Sequence, residues 1–130
     1  MTILIIDDSR FVQLAIEKAL REAGHRTIAA SDGEAGLRTA IQKSPDLILL
    51  DIMLPSLPGT SVLQGLKHNP VTCKIPVIML TGLTGLDEAR LKNEGADGYL
   101  AKSDLNLEGG CEALLGMIEK MLKKNNRIPA

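Results

Sequence analysis

Four places in the chain carry side chains able to hold a cation or a phosphoryl group: Asp7-Asp8, Asp51, Thr81 and Lys102. Three carboxylates with no His or Cys beside them form an oxygen-only donor set. Such a set suits a hard divalent ion such as Mg²⁺, which takes one or two carboxylates, keeps several waters and shares phosphate oxygens. The ammonium of Lys102 and the hydroxyl of Thr81 are the kinds of group that stabilise charge on a phosphoryl group in transfer. A carboxylate can also be the nucleophile, forming an acyl phosphate. Crowding the three aspartates together is expected to raise at least one carboxyl pKa by like-charge repulsion unless a cation lies among them. Singly, each of these residues is an ordinary charged group where a buried strand meets water. Their chemistry depends on a fold that gathers them.

Each of them follows a candidate strand. Met1 to Ile6 is an apolar, β-rich run that stops at Asp7, and from Arg10 the apolar positions become Val12, Ala15/Ile16, Ala19/Leu20 and Ala23, a helix closed by Gly24. A second strand is expected at Arg26–Ala30. The run Ser31-Asp32-Gly33-Glu34 then reads as a capping box opening a helix with Leu37, Ala40 and Ile41 on one face, stopped by Pro45. Leu47–Leu50 is a third strand ending at Asp51, followed by a turn through Pro55, Pro58 and Gly59 and a short helix near Thr60–Lys67. A fourth strand, Pro76–Leu80, ends at Thr81. The pattern then predicts a helix near Leu86–Glu94 with Thr84 as its cap, a fifth strand Gly98–Ala101 ending at Lys102, and a last helix over about Glu108–Lys123. Five βα units joined by right-handed crossovers make an α/β domain with a parallel sheet covered on both faces. In such sheets ligands bind outside the carboxyl ends of the strands, where these polar residues stand.

Composition narrows the function further. The chain has 130 residues, 45% of them hydrophobic but only 2% aromatic, with 15 Lys+Arg against 16 Asp+Glu. That is one compact domain with an aliphatic core. Near-neutral charge without a basic block lacks the footprint of a nucleic-acid or anionic-membrane binder, so neither partner is expected. Cys73 and Cys111 lie far apart with only His25 and His68 as possible co-ligands, which reads as two buried thiols rather than a zinc or redox site. Apolar runs are too short for a signal peptide core or a membrane span, and a cytoplasmic location is expected.

The motifs Ile5-Ile6-Asp7-Asp8-Ser9, Leu49-Leu50-Asp51-Ile52-Met53-Leu54-Pro55 with Pro58-Gly59, Ile78-Met79-Leu80-Thr81, and Gly95-Ala96-Asp97-Gly98-Tyr99-Leu100-Ala101-Lys102 resemble the response-regulator receiver domain of bacterial two-component signalling. The resemblance runs from about Ile3 to Met121. It implies a flavodoxin-like, doubly wound (βα)₅ three-layer sandwich with strand order 2-1-3-4-5. Residues 1–124 would form the receiver and 125–130 a short polar tail, with no output domain. Asp51 would accept a phosphoryl group from a histidine kinase, a phosphotransfer protein or a small phosphodonor. Asp8, Asp51 and the backbone carbonyl of Met53 would bind Mg²⁺, with Asp7 acting largely through a water. Lys102 would pair first with Asp51 and then with the phosphate. Thr81 would swing toward a phosphoryl oxygen and leave room for Tyr99 to turn inward, switching the surface of the fourth helix, fifth strand and fifth helix for a downstream target. Such a domain is a signalling switch rather than an enzyme in the ordinary sense, monomeric or weakly dimeric when phosphorylated.

The chain departs from the family pattern at Lys102-Ser103, where the family usually has a cis proline after the lysine. A non-proline cis bond costs roughly 3–4 kcal/mol, so a trans peptide is expected. Met53 and Leu83, two residues after Asp51 and Thr81, are apolar and cannot orient an attacking water, from which slow loss of the phosphoryl group is expected. Phe11 and Leu14 are candidates for a kinase-docking patch. A receiver fold kept only for protein docking is the main alternative. A flavodoxin-like electron carrier lacks aromatics to stack on a flavin, and a haloacid-dehalogenase-type phosphatase would need an aspartate where Met53 stands. No GxxxxGK[ST] or GxGxxG occurs to support nucleotide binding.

Overall fold

The structure, a computed structural model, describes residues 1–55, 57–82 and 94–124. Strands β1 (Thr2–Ile6), β2 (Arg26–Ala30), β3 (Leu47–Asp51), β4 (Val77–Thr81) and β5 (Gly98–Ala101) form one sheet in the order β2-β1-β3-β4-β5, with every neighbouring pair parallel. Helices α1 (Arg10–Glu22), α2 (Gly33–Lys43), α3 (Gly59–Lys67) and a C-terminal helix (Glu112–Lys124) cover it. The helix expected near Leu86–Glu94 and the tail at 125–130 fall outside the described residues, apart from Glu94 itself.

Side chains of a strand alternate between its two faces, and the core divides accordingly. Ile3, Ile5, Leu47, Leu49, Ile78 and Leu80 pack with Val12, Ile16 and Leu20 of α1 and with Leu114, Ile118 and Leu122 of the C-terminal helix. Leu4, Ile6, Ile48, Leu50, Val77 and Met79 pack on the opposite side with Ala40 of α2 and Val62, Leu63 and Leu66 of α3. Between their polar ends, Thr2, Asp51 and Thr81, the three inner strands are apolar because both of their faces are buried. At the edges, β2 and β5 are more exposed.

Helix ends follow local chemistry. Ser9 caps α1, its Oγ accepting from Val12 N at 3.3 Å, and Gly24 leaves the helix at φ +93°. The opening of α2 differs from the expected capping box. Asp32, not Ser31, is the cap and accepts from Ala35 N at 2.8 Å. Glu34 therefore lies in the first turn, where the helix dipole favours its charge, instead of closing back on the cap. Ser44 ends α2 in the left-handed region at φ 45°, directly before Pro45. The last helix begins at Glu112, later than expected, because Asn106 and Cys111 both adopt positive φ and a turn occupies the preceding residues. Leu105, fully buried in the core, anchors this connection. No cis peptide occurs among the described residues, so Lys102–Ser103 is trans.

The turn after β3 is held by backbone contacts. Gly59 N donates to Ile52 O at 2.9 Å, and a Cβ at Gly59 would lie 2.2 Å from the Asp51 carbonyl oxygen and 2.6 Å from Ile52 Cα. Neither atom is the end of a flexible side chain, so α3 and the end of β3 must part to admit a methyl group. Gly59→Ala is expected to destabilise the protein by about 3 kcal/mol, the upper part of the overpacking range, measured as a fall in the urea midpoint. An unchanged midpoint would show that the turn yields freely.

Candidate functional site

Register brings the polar strand ends together. Ile6 pairs with Leu50, so the next residues, Asp7 and Asp51, emerge side by side on adjacent central strands. Asp51 pairs with Leu80 and Thr81 pairs with Ala101, which sets Thr81 and then Lys102 progressively further along the same rim. Strand parity sorts these groups between the faces. Asp7 and Asp51 continue the set that faces α1 and the C-terminal helix, and Lys102 follows Leu100 of that set, whereas Thr81 and Tyr99 share the parity of the residues packed against α2 and α3.

The carboxylate oxygens of Asp7, Asp8 and Asp51 lie within 4.8 Å of one another. Among the described residues this is the one such group of three or more His, Cys, Asp or Glu side chains. Asp7 and Asp51 are buried and Asp8 is exposed, so the cluster opens to solvent on one side. Cys73, Cys111, His25 and His68 contribute nothing to it.

The two buried carboxylates are held in the same manner. Asp7 Oδ1 accepts from Ser9 N at 2.9 Å, and Asp51 Oδ1 accepts from Met53 N at 3.1 Å, each a backbone N–H two residues further on. Their Oδ2 atoms both face Lys102 Nζ, at 2.8 Å from Asp7 and 3.2 Å from Asp51. The expected pairing of Lys102 with Asp51 is present, and the lysine is shared with Asp7 as well. Neither Oδ2 atom has any other donor among the described residues.

Burial is the largest influence on Asp51 and raises its carboxyl pKa above the usual range; the charge of Asp7 pushes the same way, against the opposing pull of Lys102 and the Met53 N–H. The expected like-charge repulsion therefore operates, but after desolvation. Burial also works against the Lys102 ammonium, yet the hydrogen bond to Asp7 and the charges of Asp51 and Asp7 outweigh it and hold that pKa above its usual value.

An oxygen-only cluster with two buried carboxylates, one exposed carboxylate and an open side fits a hard divalent cation. Thr81 is buried, and Tyr99 is half-buried and packed against the α2 and α3 side of the core. The Met53 side chain is 74% exposed at the rim beside Asp51, while Leu83 lies outside the described residues. Phe11 and Leu14 project from α1 at 62% and 50% exposure. Ser9 and Gly59, which place Asp7 and the turn after Asp51, are site-shaping residues that composition and periodicity do not single out. Their signal is positional: Ser9 stands two residues after Asp7, and Gly59 follows Pro58 at the end of the turn after Asp51. No described helix is long and apolar enough to cross a membrane.

Comparison with known proteins agrees with this geometry. The family model for the response regulator receiver domain matches residues 3–108. The DNA-binding dual master transcriptional regulator RpaA of Synechocystis sp. is 38% identical over 128 residues, covering 98% of this chain and 51% of that protein. The chain thus spans about half the length of this relative. Among solved structures, a CheY-like receiver domain protein from Methanospirillum hungatei superposes with a TM-score of 0.83 at 29% identity, over 97% of this chain and 96% of the other. The chemotaxis protein CheY4 of Vibrio cholerae gives 0.81 at 26% identity, over 92% and 96%.

The raised pKa of Asp51 has a consequence for stability. A carboxyl whose folded pKa exceeds its unfolded value stabilises the fold at low pH, and that contribution is lost as pH rises through the folded pKa. At pH 7 the ionised Asp51 therefore weighs against folding. Asp51→Asn is expected to raise the melting temperature at pH 7, with the gain shrinking as pH falls through the raised folded pKa and gone below the unfolded value of about 4. A variant less stable than wild type at pH 7 would show that the Lys102 pairing outweighs burial.

Proposed function

Because this chain belongs to the response regulator receiver domains of two-component signalling, we propose that it is a switch thrown by phosphorylation of Asp51. The observation that carries this reading is the pair of buried carboxylates, Asp7 and Asp51, sharing one lysine in an acidic cluster at the strand ends. The donor is a phosphohistidine on a sensor kinase or phosphotransfer protein, or a small acyl phosphate. An Asp51 oxygen forms a bond to phosphorus while the phosphorus–nitrogen bond of the donor breaks, and the imidazole keeps the electron pair and takes up a proton. Asp7, Asp8, Asp51 and the backbone carbonyl of Met53 would hold Mg²⁺, which when bound offsets the crowded negative charge of carboxylates and phosphoryl oxygens.

Lys102 reaches both buried carboxylates, so its ammonium can remain with Asp7 while following the charge from Asp51 to the new phosphoryl oxygens. Asp7 keeps that ammonium protonated and aimed. The Thr81 hydroxyl donates to a phosphoryl oxygen, and Tyr99, on the neighbouring strand and the same face, turns inward in response. Phosphate then favours the conformer in which these contacts exist by its differential affinity for it. The altered surface is that of β5, the C-terminal helix and the segment between β4 and β5. An open depression of about 410 Å³ lined by Gly98, Tyr99, Met117, Lys120 and Met121 lies on it and gives a downstream protein a foothold. Exposed Phe11 and Leu14, on the helix that follows Asp7-Asp8, suit docking of the kinase or phosphotransfer partner. The domain itself is given no nucleic-acid role.

Incubation with acetyl phosphate and Mg²⁺ is expected to add the mass of one phosphoryl group to the intact protein, and to add none without Mg²⁺ or in Asp51→Asn. No gain in a wild-type protein that binds Mg²⁺ would favour the docking-module reading instead. Once the donor is removed, the added mass is expected to decay over hours, because the apolar Met53 at the rim orients no water; decay within seconds would contradict that role.

A further inference from the structure

A buried amide outside the acidic cluster is hydrogen-bonded to the peptide that links two of its members. Gln13 sits in α1 and is only 2% exposed, on the face that otherwise carries Val12 and Ile16. Its Nε2 donates to the Asp7 carbonyl oxygen at 2.5 Å and lies 3.3 Å from the Ala30 carbonyl and 3.2 Å from Ser31 Oγ. With two hydrogens to give, the amide sends one to Asp7 and shares the other between the end of β2 and the loop that follows it. Its Oε1 accepts from Arg10 Nη1 at 3.2 Å, which fixes which way the amide points.

The Asp7 carbonyl belongs to the peptide unit joining Asp7 to Asp8. That unit is planar, so holding its oxygen fixes the direction in which Asp8 leaves β1. The Asp7 side chain is fixed separately by Ser9 N and Lys102. Asp8 is exposed at the open side, its carboxylate takes no such hydrogen bond among the described residues, and its placement depends on its backbone. We infer that Gln13 is a positioning residue for the cation site, orienting the Asp7–Asp8 peptide so that both carboxylates converge with Asp51. This rests on the reading of that cluster as a Mg²⁺ site. Partners one shell removed from a metal ligand typically change affinity by tenfold or more when lost.

Gln13→Met keeps the length and volume of the side chain and removes both donors. Calorimetric titration with Mg²⁺ alone is expected to show affinity about tenfold weaker than wild type, with the Asp8 and Ser9 amide resonances displaced already in metal-free protein. Ile16→Val, a core change one turn further along α1, is expected to lower stability while leaving both readouts near wild type. Should Gln13→Met not fold, Gln13→Asn, whose amide stops one methylene short, takes its place with the same expectation. A folded Gln13 variant with Mg²⁺ affinity and Asp8 resonance no more altered than in Ile16→Val would overturn the inference. Failure of the cation reading itself is told apart because the wild-type protein would then bind no Mg²⁺, while the metal-free resonances would still report whether Gln13 orients the peptide.

Discussion

One ammonium shared by two buried carboxylates is the constraint around which the site is organised. Asp7 and Asp51 each satisfy one oxygen with a backbone N–H two residues on and turn the other toward Lys102. Buried charge is tolerated only with partners, and here one lysine serves two carboxylates with a third, Asp8, at the edge. When all are ionised the rim is left with an excess of negative charge. The raised Asp51 pKa is the local expression of that excess and of its desolvation. A bound divalent cation would relieve it, and would also offset the further negative charge that a phosphoryl group on Asp51 brings.

The sheet makes this arrangement and also separates its parts. Parallel register carries Asp7, Asp51, Thr81 and Lys102 to one rim, while the alternation of side chains puts the acidic pair and lysine on one parity and Thr81 with Tyr99 on the other. Asp51 and Tyr99 thus stand on opposite sides of a thin layer, and in the proposed switch Thr81 is the group that would sense chemistry at the first and permit repacking at the second. A rigid aliphatic core beneath the rim limits other ways of responding, because packed interiors do not deform continuously.

Much of this was legible in the residues. Strands and helices alternate with sharp changes of period, and the boundaries of β2 and β5 fall where the apolar runs predict. The five rim residues stood out because polar groups directly after buried strands are easy to see. What was not legible depended on side-chain competition or on partners distant in sequence. Ser31 and Asp32 are both good caps, and only three-dimensional context selects Asp32. The late start of the C-terminal helix follows from positive φ at Asn106 and Cys111, residues that carry no strong signal for it. Gln13 reads as an ordinary polar helix residue until its amide is seen against the carbonyls of Asp7 and Ala30. The division of Lys102 between two acids is likewise invisible to spacing.

The central claim is that, of the three clustered carboxylates, Asp51 is the one that takes the phosphoryl group. The most direct measurement is borohydride reduction of the freshly phosphorylated protein followed by peptide sequencing in the mass spectrometer, since reduction of an aspartyl phosphate leaves homoserine at the acceptor. The account predicts homoserine at position 51 alone. Homoserine at position 7 or 8, or at none of the three, would contradict it.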